Sequence, residues 1–152
     1  MNPIHEFKVA VSWQSQIIPD RKTSKNHVIG IDGKPDLHLS AAKSFKGDER
    51  LYNPEDLLLS SIASCHMMSY LYCCSQHKIE VINYSDSAQA FLEVYANGSG
   101  RITKVVLNPK VIIAQASQID LALSLHKKAN ELCFIANSCN FEVEHKAVCS
   151  AI

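Results

Sequence analysis

Two cysteines stand in segments where a thiol could do chemistry, and they lie far apart in the chain. Cys65 falls within the apolar segment NPEDLLLSSIASCHMMSYLYCCS (53–75), and Cys133 falls within ANELCFIANS (129–138). If two such thiols meet, the thiolate of the first can attack the O–O bond of a peroxide and become a sulfenic acid, and the second can then close a disulfide. The two segments therefore suggest thiol redox chemistry, although their spacing cannot show that the sulfurs meet.

The remaining cysteines are predicted to be packing or surface residues, because cysteine is among the most often buried residue types. They are Cys73, Cys74, Cys139 and Cys149. No pair has CxxC spacing, which leaves a structural zinc site with little support.

Two histidines, His66 and His126, share the predicted helices with the thiols and could belong to the same site. A metal held by both thiols and both imidazoles is disfavoured, because the neighbours Cys65 and His66 diverge by about 100° on a helix. At such positions a histidine is more often a hydrogen-bonded core or interface residue.

The position of Cys65 is set by a helix that the sequence predicts over residues 53–75. Asn53 can cap the helix, Pro54 suits its first position, and the two acidic residues that follow complement its dipole. The segment is apolar nearly all round, which is typical of a helix buried in an interior or between subunits. Cys65 lies about three turns from the helix start, where the dipole no longer stabilises a thiolate, so a cation must reach it. The candidates in the preceding sequence are Arg21, Lys22, Lys25 and Arg50.

Strand and helix patterns alternate through the rest of the chain. Alternating apolar residues predict strands within 5–13, 26–31 and 34–40 before the helix, then 80–84, 88–95, 101–108, 110–114 and 141–148 after it. The Asp32-Gly33 dipeptide favours a type I′ hairpin turn. A second helix is predicted over 117–137, capped by Ser117 or Asp120, with Cys133 at an interior position. This order predicts one α+β domain over 1–152, with largely antiparallel sheets, a long central helix and a second late helix.

Charge and composition exclude several classes of partner. Lys plus Arg and Asp plus Glu both number 15, so no net field attracts nucleic acid or an anionic membrane. The first residues show no signal-peptide pattern, and no run of 18 apolar residues occurs. We therefore expect a cytoplasmic protein whose thiols are kept reduced.

The segments NPEDLLLSSIASC and ANELCFIANS together resemble the osmotically inducible protein C / organic hydroperoxide resistance (OsmC/Ohr) family. The resemblance implies that Cys65 attacks organic hydroperoxides, that Cys133 resolves the sulfenic acid, and that Glu55 orients the cation that holds the thiolate. It also implies a dithiol reductant such as a lipoyl group and no metal or nucleotide cofactor.

The sequence departs from the family pattern at the arginine that pairs with the glutamate. The comparable segment, SKNHVIGIDG (24–33), offers Lys25, and Arg21 lies four residues earlier. Lysine is a poorer bidentate partner for a carboxylate. The departure supports a second hypothesis, a non-enzymatic dimer that binds a small apolar or thiol-reactive molecule as a sensor or carrier.

The spacing of Glu55 and Cys65 predicts a dimer. Ten residues of helix correspond to a rise of roughly 15 Å and an offset of about 80°, more than the two side chains can bridge. A two-fold partner with an antiparallel central helix would bring its helix start beside Cys65. We therefore expect a homodimer with composite sites, and the family resemblance likewise implies an intertwined homodimer.

Overall fold

The computed structural model describes residues 1–15 and 23–152. Contacts divide the chain into two compact units, residues 1–57 and 58–152, and each unit is described here by itself. The prediction of one domain over 1–152 stays a prediction.

The first unit contains a three-stranded antiparallel sheet, which confirms the predicted N-terminal meander. Its strands are β1 (Ala10–Ser12), β2 (His27–Gly30) and β3 (Leu37–Leu39), in that order. The strand predicted over 5–13 forms over three residues only. Its apolar side chains stay exposed, with Val11 66% and Trp13 52% accessible, so the predicted burial of one face was wrong for the single chain. Alternation of apolar residues indicates which face of a strand is apolar, but it does not indicate which part of the protein buries that face.

The turn between β2 and β3 lies where the sequence predicts it but has a different type. The Lys34 N–H donates to the Ile31 carbonyl at 3.0 Å, and Gly33 has φ +74° while Asp32 keeps a negative φ. A type I′ turn needs positive φ at both central residues, whereas a type II turn needs it only at the second. The prediction of a type I′ turn was therefore wrong.

The helix α1 (Pro54–Gln76) confirms the predicted central helix. The Asp56 N–H donates to Asn53 Oδ1 at 2.8 Å, and the Asn53 N–H donates to Asp56 Oδ2 at 3.2 Å. These reciprocal bonds satisfy two backbone donors and fix the helix start. By length and composition alone α1 could also cross a bilayer, a property that it shares with long core helices of soluble proteins.

Two mixed sheets form the frame of the second unit. One has the order β4 (Val81–Asp86), β7 (Pro109–Ile113), β9 (Val148–Ala151), and the other β5 (Gln89–Val94), β6 (Gly100–Leu107), β8 (Glu142–His145). The pairs β4–β7 and β5–β6 are antiparallel, while β6–β8 and β7–β9 are parallel. The expectation of largely antiparallel pairing therefore fails for the last two strands, which follow the late helix. The strand predicted over 141–148 ends earlier, as β8, and a further strand, β9, begins at Val148.

Two apolar clusters attach α1 to these sheets. Tyr70 and Cys74 of α1 pack against the β4–β7–β9 sheet and the late helix, and Ile62 packs against the β5–β6–β8 sheet. The fully buried strand residues of the two clusters are Val105, Leu107, Val111 and Ile113. The sheet contacts hold the middle of α1, where Cys65 lies, in one position.

The late helix is broken at the second thiol. The helix α2 (Ile119–Leu132) ends at Cys133, whose φ of −75° and ψ of 106° are extended, and α3 (Phe134–Asn137) follows. Cys133 therefore does not occupy the interior helix position that was predicted. Gln118 precedes α2 without a side-chain cap, so the predicted caps by Ser117 or Asp120 were also wrong.

Candidate active site

The structure brings Cys65 and Cys133 together in the second unit. Both are free thiols, and the Cys65 side chain is near enough to Cys133 to raise the pKa of the Cys133 thiol. The break between α2 and α3 positions the second sulfur, because Cys133 Sγ accepts a hydrogen bond from the Ala136 N–H at 3.4 Å. The thiol thus caps the start of α3, and the two predicted redox residues are neighbours.

The two thiols differ in their access to solvent. Cys133 is fully buried, and burial raises its pKa to about 11, with a further increase from the Cys65 thiol and a decrease from the Ala136 N–H. Cys133 is therefore protonated at neutral pH. Cys65 is half-buried and lines an open surface groove.

The groove beside Cys65 is apolar. It has a volume of about 440 Å³, and its lining residues are Cys65, Met68, Ser69, Tyr72, Leu132 and Phe134. None of these carries a formal charge, and Phe134 is 81% exposed. An apolar molecule can therefore lie against Cys65 while Cys133 stays covered behind it.

Glu55 and Lys25 line a separate cavity of about 200 Å³ in the first unit. Lys25 Nζ donates to the Phe45 carbonyl at 2.5 Å, and no ion pair joins it to Glu55 within residues 1–15 and 23–152. Glu55 Oε2 is buried and has no hydrogen-bond partner among the described residues. Arg21 lies outside the described residues, so the roles predicted for Glu55, Lys25 and Arg21 stay predictions.

Three histidines contact one another in the second unit. His66 Nε2 and His126 Nδ1 are 3.0 Å apart, the His145 ring centroid lies 4.4 Å from that of His66, and Tyr70 stacks on His126 at 4.0 Å. The sequence predicts His66 and His126 on the thiol-bearing helices but does not group them with His145. The available signal was the alternation of the last strand, which puts His145 on the same face as Phe141 and Val143.

Burial keeps these imidazoles neutral. It lowers the pKa of His66 to about 3, to which the neighbouring His145 and His126 contribute, and that of His126 to about 4, to which His145 contributes. The pKa of His145 is also lowered by burial. Among the described residues no group of three or more His, Cys, Asp or Glu side chains is arranged to hold a metal ion.

The histidine cluster predicts a loss of stability in mild acid. The unfolded chain takes up protons on His66 and His126 below their ordinary pKa of 6.5, whereas the folded chain does so only near about 3 and 4. Stability is therefore fully present above pH 6.5 and declines as the pH falls from there towards about 4. We expect the free energy of unfolding in urea to drop by about 2 kcal/mol per histidine between pH 7 and pH 5.

The matched control is the double variant His66→Gln, His126→Gln, in which neither position can take up a proton. Its free energy of unfolding should decline less steeply over the same pH interval, because of the three histidines only His145 can still take up a proton. An equally steep decline in the double variant would show that other groups cause the acid sensitivity.

Comparisons with known proteins find a family model and relatives that cover most of the chain. A family model described as OsmC-like protein matches residues 47–147. The solved structure of the OsmC-like protein of unknown function VCA0330 from Vibrio cholerae is 28% identical, with a TM-score of 0.86 over 95% of this chain and 100% of that one. The uncharacterized protein YmaD of Bacillus subtilis is 25% identical over 144 residues, which are 92% of this chain and 90% of that protein.

An organic hydroperoxide resistance protein from Elizabethkingia anophelis shares the fold. Its structure matches with a TM-score of 0.72 at 17% identity and covers all of both chains. At this identity the likeness concerns the fold alone. It confirms the predicted α+β architecture with a long central helix and a late helix.

Proposed function

The chain belongs to the OsmC-like protein family, and from this premise we propose that it is a thiol-dependent peroxidase that reduces organic hydroperoxides. One observation carries the proposal: a half-buried Cys65 at an apolar groove is a neighbour of a fully buried Cys133. This order of access supports the proposed roles, because a peroxide can reach Cys65 from the groove while Cys133 is covered.

In the first step, the Cys65 thiolate attacks the distal oxygen of the hydroperoxide. The O–O bond breaks, Cys65 becomes a sulfenic acid, and the alkoxide takes a proton to leave as an alcohol. Sulfur is oxidised and the peroxide reduced by two electrons. The apolar lining of the groove from Met68, Tyr72 and Leu132 favours an organic substituent on the peroxide.

In the second step, Cys133 attacks the sulfenic sulfur. A Cys65–Cys133 disulfide forms, and the sulfenic hydroxyl leaves with the Cys133 proton as water. Cys133 enters as a thiol because burial raises its pKa. A small dithiol of the lipoyl type would then reduce the disulfide and restore both thiols in the cytoplasm.

We also propose that the active form is a homodimer. The residues around Cys65 include exposed large apolar side chains, with Met68 58%, Tyr72 58% and Phe134 81% accessible. Exposed apolar patches of this kind mark interaction surfaces. A second copy could cover them and bring Glu55 with a cation, Arg21 or Lys25, to complete a site whose groove lining carries no formal charge.

Sedimentation tests the dimer. The protein at micromolar concentration should sediment as a dimer, and Tyr72→Glu should shift it towards the monomer because a charge would be buried without a partner. The control is Ile82→Glu, at an exposed apolar residue of β4 outside the groove, which should stay dimeric. A monomeric native protein would refute this part of the proposal.

Peroxide consumption tests the proposed function. Reduced protein with dihydrolipoamide should consume cumene hydroperoxide, with one dithiol oxidised per peroxide. The value of kcat/KM should exceed that for hydrogen peroxide by at least about ten-fold, because an apolar groove gains binding energy from the organic group. If dihydrolipoamide without the protein consumes the peroxide equally fast, the proposal is contradicted.

The uncharged groove favours a second candidate, a non-enzymatic binder of a small apolar or thiol-reactive molecule. The two candidates differ in turnover. A binder or sensor would react with one equivalent of peroxide or electrophile per chain and then stop even with dithiol present, whereas a peroxidase would continue.

A further inference from the structure

A buried hydrogen bond joins the two helices that bring the thiols together. His66 Nε2 and His126 Nδ1 are 3.0 Å apart, and the two residues are only 1% and 3% exposed. His66 follows Cys65 directly on α1, and His126 lies two helical turns before Cys133 on α2. The bond therefore connects the helix that carries Cys65 to the helix that ends at Cys133.

Neighbouring rings fix the orientation of this imidazole pair. Tyr70 stacks on His126 with a centroid distance of 4.0 Å and an interplanar angle of 10°. On the other side, His145 packs against His66 at 4.4 Å. A side chain held between packed rings keeps one rotamer, so the bond is directional and resists sliding of one helix along the other.

The pair is poorly suited to be a purely stabilising element. His66 Nδ1, His126 Nε2 and His145 Nε2 are buried and have no hydrogen-bond partner among the described residues. Unpaired buried polar atoms cost stability, and apolar side chains of similar volume would fill the same interior without that cost. The imidazole hydrogen bond fixes the position of one helix relative to the other, which a simple apolar contact does not do.

We propose that His66 and His126 are positioning residues of the thiol pair: their hydrogen bond fixes α1 against α2 so that the sulfurs of Cys65 and Cys133 stay within bonding reach. The inference rests on the proposed redox role of the two thiols. Its test uses no peroxide, so a protein without peroxidase activity still gives an answer.

The test is the equilibrium between the protein dithiol and glutathione disulfide, which yields the Cys65–Cys133 disulfide and two glutathione molecules. In His66→Leu the equilibrium constant should fall by about ten-fold, because the sulfurs meet less often. In His66→Gln, whose amide can hydrogen-bond to His126, the constant should stay within about three-fold of the native value.

Tyr70→Phe is the matched control. The Tyr70 hydroxyl donates to the Ala122 carbonyl at 3.1 Å, so it also joins α1 and α2 in the core, and phenylalanine keeps the stacking on His126. This variant loses an interhelical bond and stability but should hold the disulfide equilibrium within about three-fold of the native value. An equal fall in Tyr70→Phe, or an unchanged constant in His66→Leu, would overturn the proposal.

If His66→Leu does not fold, the native protein provides the second measurement. Coupling is reciprocal, so disulfide formation must act back on the imidazole bond. We expect the ¹⁵N shifts of His66 Nε2 and His126 Nδ1 to differ between the dithiol and disulfide forms more than those of the exposed His38. Shifts that change no more than those of His38 would also overturn the proposal.

Discussion

Replacing Cys65 by serine should lower the rate of organic hydroperoxide reduction by at least about 1,000-fold. A serine hydroxyl at the groove is not ionised at neutral pH and cannot be oxidised to a species that Cys133 resolves. The measurement is kcat/KM for cumene hydroperoxide with dihydrolipoamide as reductant. The fold should persist, because serine differs from cysteine by one atom at a half-buried position.

Cys149→Ser is the matched control for this substitution. Cys149 is also a half-buried thiol, but it lies on β9 and is not among the residues that line the groove. It should retain kcat/KM within about two-fold of the native value. Peroxide loss that is unaffected by Cys65→Ser would remove Cys65 from the mechanism.

Replacing Cys133 by serine should separate the two chemical steps. The first turnover should persist, because the groove and Cys65 are unchanged, while steady-state turnover should fall by about 100-fold since the neighbouring thiol acts at high effective concentration. The Cys65 sulfenic acid should accumulate and be trapped by dimedone in mass spectrometry. Excess peroxide should then oxidise it further to the sulfinic acid.

Full steady-state turnover in Cys133→Ser would show that an external thiol, and not Cys133, resolves the sulfenic acid. Cys139→Ser is a suitable control, because Cys139 follows α3 closely and its thiol donates to the Ile135 carbonyl at 3.2 Å. This variant should turn over normally and should not accumulate the dimedone adduct.

The sequence was sufficient to predict features that depend on local signals. The start of α1 follows from Asn53 and Pro54, and the structure confirms the predicted cap, because Asn53 Oδ1 accepts from the Asp56 N–H. The proximity of Cys65 and Cys133 was a hypothesis from a family resemblance, and the structure brings the two thiols together.

Features that depend on distant parts of the chain could not be predicted. The break at Cys133 has no Gly or Pro signal, because the thiol itself caps α3 by accepting from the Ala136 N–H. β8 pairs in parallel with β6, and β9 pairs in parallel with β7. Both pairings depend on where the chain re-enters the sheets after the late helix. The exposure of Trp13 depends on what covers it, which periodicity does not specify.

The histidine cluster shows the same limit. His66, His126 and His145 come from α1, α2 and β8, and in the sequence each resembles an ordinary core or partly buried histidine. The 3.0 Å separation of His66 Nε2 and His126 Nδ1 and the 4.4 Å separation of the His66 and His145 ring centroids arise from tertiary packing. The depressed pKa of each imidazole is therefore a property of the folded unit and not of its local sequence.

Mass spectrometry of the fully reduced protein after one equivalent of cumene hydroperoxide most directly tests whether the two thiols form a redox pair. Free thiols are alkylated and the chain is digested without reductant. We expect one Cys65–Cys133 linked peptide per chain, with Cys73, Cys74, Cys139 and Cys149 alkylated as in the untreated protein. Six alkylated cysteines, or a disulfide that joins other residues, would contradict the proposed peroxidase.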